Sequence, residues 1–385
     1  MNVLVIGERF SSNLGDPIIC ESVEFLIHKH FPNAKITFAD ISGRDSFIEP
    51  KNTDTQIIQG RLSSIKKKIS LTFTKMGVDT EYIKFRKAHK RIENFIYEAC
   101  NQDFDLAIFA GGQLFKDTFV LPINDFVSHL SSRNIPIIFN ACGVGEIASI
   151  KMRSILANAL CDPSVKVITS RDDIQTINKE FLLNTSRKAV RTHDPALWAG
   201  QVYGVQKRQS DTVGLGIMFA HNMNYNDMIT FWTNIVKELN LRNIKWKFFC
   251  NGSIKDHIFA ADILKKMGCS DSEKEKLLLP RPVRPVDLVK MIASFNSIIS
   301  FRLHSHIIAY ALDIPGIAIV WDEKLKHFYR SIHLESRCKN LNTNIKNIIM
   351  EMKKAKDTGY NERLRESQTK ETKDLLISAI METIE

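Results

Sequence analysis

The sequence lacks the features of a disulfide-rich secreted protein, a zinc protein and a membrane-spanning protein. Its seven cysteines are an odd number scattered over 385 residues, and no two of them form a C-x-x-C pair. That usage favours a reducing cytoplasm over a disulfide framework or a zinc site. No apolar run approaches the roughly 18 residues that a bilayer-spanning helix needs. The opening run, Met1 to Gly7, is too short for a signal peptide and is typical of a buried strand.

Short motifs of several enzyme and nucleic-acid-binding classes are also missing. No G-x-G-x-x-G follows the first predicted strand, and there is no Walker A lysine, no H-E-x-x-H and no G-x-S-x-G. Zinc-finger spacing, an RNP motif and a helix-turn-helix are absent too, so we do not expect nucleic acid as a partner. No metal-ligand spacing occurs, and we expect neither a metal nor a bound cofactor.

The sequence does contain a regular alternation of short apolar runs and helix-like segments. Its length favours two domains over one core. The alternation extends over residues 1–198 and restarts over 213–343. The stretch 199–212 between them is polar and aperiodic, and it is predicted to be a linker. Such alternation predicts an α/β fold with two Rossmann-like domains facing a cleft, each with a parallel sheet. Residues 344–385 are predicted to be helical and to pack back on the N-terminal domain.

Polar residues and glycines follow the ends of the predicted strands. In open α/β sheets, ligands bind beyond the carboxyl ends of the strands. The residues at these ends are Asn13, Asp16, Gly111, Gly112, Gln113, Gly143, Gly145, Glu146, Arg171, Asp172, His193, Asp194, Arg302 and His304. Simpler explanations exist for some of them. Asp16 before Pro17 fits a helix N-cap, the glycines fit tight turns, and Arg171 fits an ion pair with Asp172 or Asp194.

The segment 301–306, with sequence FRLHSH, carries the clearest chemistry. In an extended strand, Arg302, His304 and His306 face the same side, and Ser305 then fits a helix N-cap. A helix N-terminus beside an arginine suits a phosphate or carboxylate, because backbone N–H groups and a guanidinium fork both favour an anion. A solvated strand end is the alternative.

The net charge of +10 is concentrated in one segment. Ten Lys and Arg residues lie between Arg61 and Arg91, against only Asp79 and Glu81, which gives this segment +8 of the total. A basic segment of this kind suits an anionic membrane surface or an acidic substrate. Its alternative is a solvated helix face.

Four stretches, taken together, resemble the polysaccharide pyruvyl transferase family. Their order and spacing cover most of residues 1–330, so the joint match is more specific than any single motif. One departure is Gln113, where the family's turn has a third glycine. The four stretches are Asn13-Leu14-Gly15-Asp16, DLAIFAGGQLF at 105–115, Ser170-Arg171-Asp172 with Asp194-Pro195-Ala196, and SFRLHSHIIAYALDIPGIAI at 300–319 with Trp321 to Lys324.

The resemblance implies a GT-B-like fold and a specific reaction. The expected reaction transfers a pyruvyl group from phosphoenolpyruvate to two hydroxyls of a sugar, which gives a cyclic ketal on a capsule, exopolysaccharide or lipid-linked precursor. Phosphoenolpyruvate carries two oxyanions, so Arg171 and Arg302 are assigned to the donor, with His304 as the acid or base. The resemblance assigns further substrate contacts to Asn13, Asp16, Gly111, Gly112, Gln113, Gly145, Glu146, Asp194, Ser305 and Lys324.

Two other functions remain open at this stage. One is a GT-B glycosyltransferase that uses a nucleotide sugar, since one fold supports many activities. The other is a glycan- or membrane-binding protein without catalysis. For the transferase we expect a cytoplasmic protein at the inner membrane face, where the segment 61–91 contacts anionic lipids.

Overall fold

The structure, a computed structural model, describes residues 1–47, 79–183, 185–220 and 223–384. The chain divides into two compact units. The first unit comprises Met1–Arg9, Phe31–Thr192 and Ser378–Glu385, and the second unit comprises Phe10–His30 and His193–Ile377. Residues 61–78, which hold half of the basic segment's cations, lie outside the described residues. None of the described helices combines the length and the apolar character that crossing a membrane requires.

Strands and helices alternate along most of the described chain. The strands are β1 Asn2–Gly7, β2 Lys35–Asp40, β3 Leu106–Phe109, β4 Gly112–Phe115, β5 Ile137–Phe139, β6 Cys142–Val144, β7 Val165–Ser170, β8 Val190–Arg191, β9 Val213–Gly216, β10 Trp246–Phe249, β11 Ser297–Ser300, β12 Gly316–Ile319 and β13 Cys338–Lys339. The helices are α1 Gly15–His30, α2 Thr80–His89, α3 Glu93–Cys100, α4 Asp117–Ser132, α5 Ile150–Cys161, α6 Ile174–Thr176, α7 Ala199–Val202, α8 Tyr225–Leu241, α9 Ile254–Lys266, α10 Asp271–Leu277, α11 Pro285–Ala293, α12 Leu303–Ala311, α13 Glu323–Ser331, α14 Ile345–Thr358 and α15 Glu362–Ile384.

The first unit is organised around a parallel sheet with the strand order β2-β1-β3-β5-β7-β8. Its central strands are continuous apolar runs, because a parallel sheet covered on both faces leaves no solvent side. The rings of Phe109 and Phe139 stack at 4.2 Å between centroids, and Phe126 from α4 meets Phe109 edge-on. Just beyond the ends of β3 and β5, the short strands β4 and β6 pair in parallel as a separate small sheet.

The second unit is organised around a parallel sheet with the order β10-β9-β11-β12-β13. Trp232 of α8 packs on Phe248 and on Phe301, with ring centroids 6.1 and 5.6 Å apart. The chain runs from β9 to β10 on one side and returns to β11 on the other, so the strand order reverses between β9 and β11. Ligands of open α/β sheets bind at such a switch point, beyond the carboxyl ends of the strands.

The two parallel sheets confirm the predicted α/β class, but two predicted helix caps are wrong. Helix α1 begins at Gly15, so Asp16 lies inside its first turn and is not the N-cap. Helix α12 begins at Leu303 with Arg302 as the N-cap, so Ser305 is inside that helix as well. Residues 199–212 belong to the second unit and begin with α7, in which Ala199 is buried.

The shared direction predicted for the FRLHSH segment is also wrong. Strand β11 ends at Ser300, whose hydroxyl accepts a hydrogen bond from the backbone N–H of Arg302 at 3.1 Å. The chain turns there into α12, in which successive residues are rotated by about 100°. Arg302, His304 and His306 therefore meet three different sets of neighbours.

Candidate functional site

Arg302 lies at the switch point of the second unit's sheet and is held there by a buried carboxylate. Its Nε and Nη2 donate to Oδ2 of Asp256 at 3.1 and 2.5 Å, and Asp256 is only 1% exposed. The other oxygen of Asp256 accepts the backbone N–H of Phe219, just after β9, at 2.9 Å. Asp256 therefore links Phe219, which follows β9, to Arg302, which follows β11. Among the residues that the structure describes, the pair uses two of the five guanidinium N–H donors, which leaves three for a ligand.

His304 is enclosed between two carboxylates. Its Nδ1 lies 3.9 Å from Oδ1 of Asp16, and its Nε2 lies 3.7 Å from Oδ2 of Asp194. The imidazole is almost fully buried, with 5% of the residue exposed. The imidazole thus has a carboxylate oxygen near each of its ring nitrogens, and a histidine held in this way is suited to carry a proton to or from a substrate.

Gly15 explains why the Asn-Leu-Gly-Asp stretch has a glycine in the middle. A methyl group at this position would lie 2.1 Å from Cγ and Nδ1 of His304, far inside contact distance. The imidazole therefore lies directly against the first turn of α1. Only glycine allows that approach, and the approach brings His304 beside Asp16.

The carboxylates next to His304 are themselves oriented. Oδ2 of Asp16 accepts hydrogen bonds from Nδ2 of Asn13 at 2.9 Å and from the hydroxyl of Ser11 at 3.2 Å. Oδ1 of Asp194 caps the turn at Pro195–Trp198 by accepting the backbone N–H of Ala196 at 2.9 Å. Asp194 therefore has one oxygen committed to the chain and the other directed at His304.

Ser305 supports the loop that precedes α1. Its hydroxyl, fully buried, donates to Oδ1 of Asn251 at 2.7 Å. The carbonyl of Asn251 in turn accepts the backbone N–H of Leu14 at 2.8 Å. Ser305 thus contacts other residues of the site and joins α12 to the chain after β10.

His306 faces away from the carboxylates into a neutral hydrogen-bond network. Its Nε2 lies 3.0 Å from the carbonyl of Ser300 and its Nδ1 lies 2.9 Å from the hydroxyl of Tyr329. A carbonyl only accepts, so Nε2 carries the proton and Nδ1 is the acceptor. Burial lowers the pKa of His306 to about 4, so this histidine stays neutral and supports the end of β11.

Lys324 lies near the carboxyl end of β12, at the start of α13. Its Nζ pairs with Oδ2 of Asp322 at 3.0 Å and lies 5.6 Å from the ring centroid of Trp321. The Trp321 indole N–H donates to the carbonyl of Phe301 at 2.9 Å. This hydrogen bond connects the Trp-Asp-Glu-Lys stretch to the segment that carries Arg302.

In the first unit, the corresponding strand ends carry glycines in left-handed conformations. Gly111 and Gly112 have φ values of +105° and +88°, which side chains rarely adopt. Gln113 donates from Nε2 to the carbonyl of Val144 at 3.0 Å, and so holds β4 against β6. A methyl group at Gly145 would lie 2.9 Å from Cβ of Lys116 and 3.0 Å from Nε2 of Gln113.

Arg171 and Glu146 complete the predicted set in the first unit. Arg171 directly follows β7, and its neighbour Asp172 accepts the backbone N–H of Val144 at 3.0 Å. Glu146 has an exposed side chain, while its carbonyl accepts the backbone N–H of Asp117 at 3.2 Å. Asp172 thus joins the ends of β6 and β7 beside Arg171.

The predicted residues fall into two groups. The second unit brings Asn13, Asp16, Asp194, Arg302, His304 and Ser305 together, with Lys324 beyond the next strand, and the first unit holds Gly111, Gly112, Gln113, Gly145, Glu146 and Arg171. Asp256, the carboxylate that holds Arg302, was not among the residues predicted from the sequence. Its spacing from Ser253 is typical of the first turn of a helix, and this conceals its role. Across the described ranges, no group of three or more His, Cys, Asp and Glu side chains is arranged to hold a metal ion.

Comparison with known families identifies the family. A sequence model described as "Polysaccharide pyruvyl transferase" matches residues 13–323, most of the chain. The chain belongs to the polysaccharide pyruvyl transferase family. The match begins at Asn13 and ends at Glu323, so it includes the loop before α1, both glycine turns and the FRLHSH segment. No curated protein matches the chain.

Solved structures with the same fold are GT-B-type enzymes. A UDP-GlcNAc 2-epimerase from Neisseria meningitidis bound to UDP-GlcNAc has a TM-score of 0.57 at 10% identity, over 99% of this chain and all of the other. The S. aureus MnaA-UDP co-structure has a TM-score of 0.56 at 11% identity, over 98% and 95%. The glycotransferase of kitacinnamycin has a TM-score of 0.50 at 9% identity, over 99% and 97%. The fold is therefore GT-B-like, as predicted.

Proposed function

We propose that this member of the family transfers the pyruvyl group of phosphoenolpyruvate to two hydroxyl groups of one sugar, forming a pyruvate ketal. The acceptor is a cell-surface polysaccharide or its lipid-linked precursor. Phosphoenolpyruvate is a co-substrate, and the proposal includes no metal or bound cofactor. The enzyme works in the cytoplasm, at the inner face of the membrane where such precursors are exposed.

The reaction needs one proton delivered and two removed. The methylene carbon of phosphoenolpyruvate takes a proton, which leaves an oxocarbenium-like centre at the carbon that carries the phosphate. One sugar hydroxyl attacks that carbon, the second displaces the phosphate, and each hydroxyl loses its proton. One of these protons replaces the proton given to the methylene, and the other leaves with inorganic phosphate. A group that donates and accepts protons near neutral pH is therefore required.

The observation that supports this function best is the position of His304 between the carboxylates of Asp16 and Asp194, two residues from Arg302. Arg302, oriented by Asp256, binds an oxyanion of the donor. His304 exchanges the proton, and the two carboxylates flank its ring nitrogens. A protein that only binds neutral glycans has no need for a buried imidazole between two carboxylates.

The glycine turns of the first unit suit the acceptor. A glycine removes the side chain that would keep a sugar ring away from the backbone N–H and C=O groups. Gly145 is partly exposed and supplies such a surface, while the buried Gly111 and Gly112 adopt the left-handed conformations that shape the turn before β4. We assign Arg171 to the donor, as the family resemblance implies.

The decisive experiment uses ¹³C-labelled phosphoenolpyruvate with a panel of acceptor glycans. We expect inorganic phosphate to be released together with a new ketal methyl signal in the NMR spectrum, and neither to form with the His304→Gln variant. Turnover with a nucleotide sugar alone would instead identify a glycosyltransferase. Glycan binding without turnover on either donor would identify a non-catalytic protein.

A further inference from the structure

Two hydrogen-bond donors beside the site have no protein partner in the described part of the chain. They are Nδ2 of Asn251 and Nη2 of Arg281, and both atoms are buried. Asn251 itself is only 1% exposed. The two residues are connected, because Nη1 of Arg281 donates to the carbonyl of Gly252 at 2.8 Å. Donors buried without a partner are rare in native proteins, and each one calls for an explanation.

Arg281 reaches this place because the chain extends the second unit's sheet beyond β10. Phe248 forms a parallel bridge with Leu278, and the backbone N–H of Leu279 donates to the carbonyl of Phe248 at 2.9 Å. Arg281 therefore follows a strand-like segment at the same carboxyl edge where Arg302 follows β11. Arg281 was not predicted from the sequence, because the run Leu277-Leu278-Leu279-Pro280 is too short to be recognised as a strand.

The loop that presents Asn251 is held in one conformation. Gly252 has a φ of +103°, and a methyl group there would lie 2.6 Å from the carbonyl oxygen of Ser12. The Asn251 side chain uses Oδ1 to accept the Ser305 hydroxyl, which leaves its amide N–H groups as donors. Asn251 is therefore in direct contact with α12, the helix that carries His304.

The positive charge beside Asn251 comes from Arg281. His257 lies nearby on α9, and its pKa is lowered, chiefly by burial and in addition by the charge of Arg281. The imidazole is thus neutral at physiological pH. A guanidinium edge together with an amide N–H is the donor set that recognises phosphate and carboxylate groups.

We propose that Arg281 and Asn251 form a second oxyanion subsite in the second unit, at the same carboxyl edge of the sheet as Arg302. Resting on the proposed function, this subsite takes the phosphate or the carboxylate of phosphoenolpyruvate while Arg302 takes the other group. The second unit then contains cationic ligands for both ends of the donor. The two ends are distinguished by probing with inorganic phosphate and with pyruvate.

The test measures binding of phosphoenolpyruvate, inorganic phosphate and pyruvate to the full chain by calorimetry. We expect Arg281→Gln to weaken phosphoenolpyruvate binding at least tenfold, and to weaken either phosphate or pyruvate, whichever group occupies the subsite. Arg284→Gln is the matched control, since this arginine lies three residues along and its side chain is 71% exposed. The control is expected to bind all three probes like the wild type.

A second variant tests the subsite without removing the arginine. Asn251→Asp keeps the oxygen that accepts the Ser305 hydroxyl but replaces the amide donor with an anionic oxygen, so we expect the same probe to lose affinity. Wild-type affinity of both variants for all three probes overturns the subsite. If the wild type binds phosphate in an Arg281-dependent manner but never binds phosphoenolpyruvate, the subsite is supported and the proposed donor is wrong.

Discussion

The carboxyl edges of the two sheets are formed by different types of residue. In the first unit the edge consists largely of glycines, with Gly111 and Gly112 in left-handed conformations and Gly145 in close contact with Gln113. In the second unit the edge consists of charged side chains held by other side chains, such as Arg302 by Asp256. A bare backbone suits an uncharged ring, whereas fixed charges suit an anion. We infer that the second unit provides most of the donor's binding groups.

The difference also affects how the two edges respond to mutation. A charge removed from the second unit leaves its partner buried, so function and stability change together. A methyl group added to a glycine of the first unit alters local geometry and removes no charge. Comparing substitutions at the two carboxyl edges can therefore distinguish an effect on ligand binding from an effect on folding stability.

The largest effect is expected at Arg302. Arg302→Ala leaves the Asp256 carboxylate, 1% exposed, without its cation, which costs about 3 kcal/mol of folding free energy. Arg302→Lys keeps a positive charge for Asp256 but loses the planar fork. We expect Arg302→Lys to remain folded, with donor affinity about tenfold to hundredfold lower and little turnover.

The matched control for this change is Arg365→Lys. Arg365 also pairs with an aspartate in the second unit, with Nη1 2.6 Å from Oδ1 of Asp313 and a side chain 17% exposed. It lies beyond the opposite end of α12 from His304. Urea unfolding and steady-state kinetics on both variants test the comparison, and wild-type turnover in Arg302→Lys would remove Arg302 from the donor site.

The next effect is expected from glycine substitutions on the two sides. In Gly15→Ala, the new methyl would meet the His304 imidazole at 2.1 Å, so the ring must leave its position between the carboxylates. A displacement of about 1 Å in a catalytic group costs roughly a hundredfold in rate. We expect kcat to fall by about that factor while the affinity for phosphoenolpyruvate changes little.

Gly145→Ala is the counterpart in the first unit. Its methyl would meet Cβ of Lys116 at 2.9 Å and the flexible amide of Gln113 at 3.0 Å. If the glycine turns hold the acceptor, KM for the glycan rises and kcat changes less than in Gly15→Ala. Equal kinetic effects in both variants would contradict the division of roles between the two edges.

The sequence predicted the strand ends better than the contacts made there. The parallel α/β units and the FRLHSH segment followed from apolar runs and turn residues, which are local signals. The partners of Arg302 and His304 could not be predicted from such local signals. Asp256 and Arg302, for example, are 46 residues apart, and each fits an ordinary helix start. His306 illustrates the same limit, since only the contacts to Ser300 and Tyr329 distinguish its neutral, supporting role from that of His304.

A smaller effect is expected in the pH dependence of stability. Burial lowers the pKa of His306 to about 4, whereas a histidine of the unfolded chain titrates near 6.5. Between pH 6.5 and about 4 the unfolded state binds more protons than the folded state. The free energy of unfolding therefore falls as the pH is lowered through this window, and the total loss is roughly 3 kcal/mol when pH 4 is reached. Above pH 6.5 the neutral His306 makes its full contribution to the free energy of unfolding.

The measurement is urea unfolding at several pH values between 7 and 4. His306→Gln lacks the titrating group and is expected to be less stable at pH 7 but to show a flatter pH dependence. His30→Gln, at an exposed position at the end of α1, is the control and should keep the wild-type slope. An unchanged slope in His306→Gln would show that another group causes the acid sensitivity.

The smallest effect on catalysis is expected from the basic segment. Five of its ten cations, Lys84, Arg86, Lys87, Lys90 and Arg91, lie in the described part of the chain, and all five are exposed, as is Ile83 at 53%. Exposed cations beside an apolar side chain fit an anionic bilayer, where each Lys or Arg contributes about 1 kcal/mol. We expect binding to vesicles that contain anionic lipid, weak binding to neutral vesicles, and loss of binding as salt shortens the Debye length below about 8 Å.

Charge reversal tests whether this segment finds a membrane-bound acceptor. Lys66, Lys67 and Lys68 lie outside the described residues, and replacing all three by Glu should reduce vesicle binding while turnover on a short, soluble acceptor stays at the wild-type level. The same reversal of the exposed Lys353, Lys354 and Lys356 on α14 removes equal charge from the second unit and should leave vesicle binding nearly intact. Equal losses in both variants would mean that net charge alone drives binding. Wild-type protein that binds anionic and neutral vesicles alike, or neither, would leave residues 61–91 as a solvated surface.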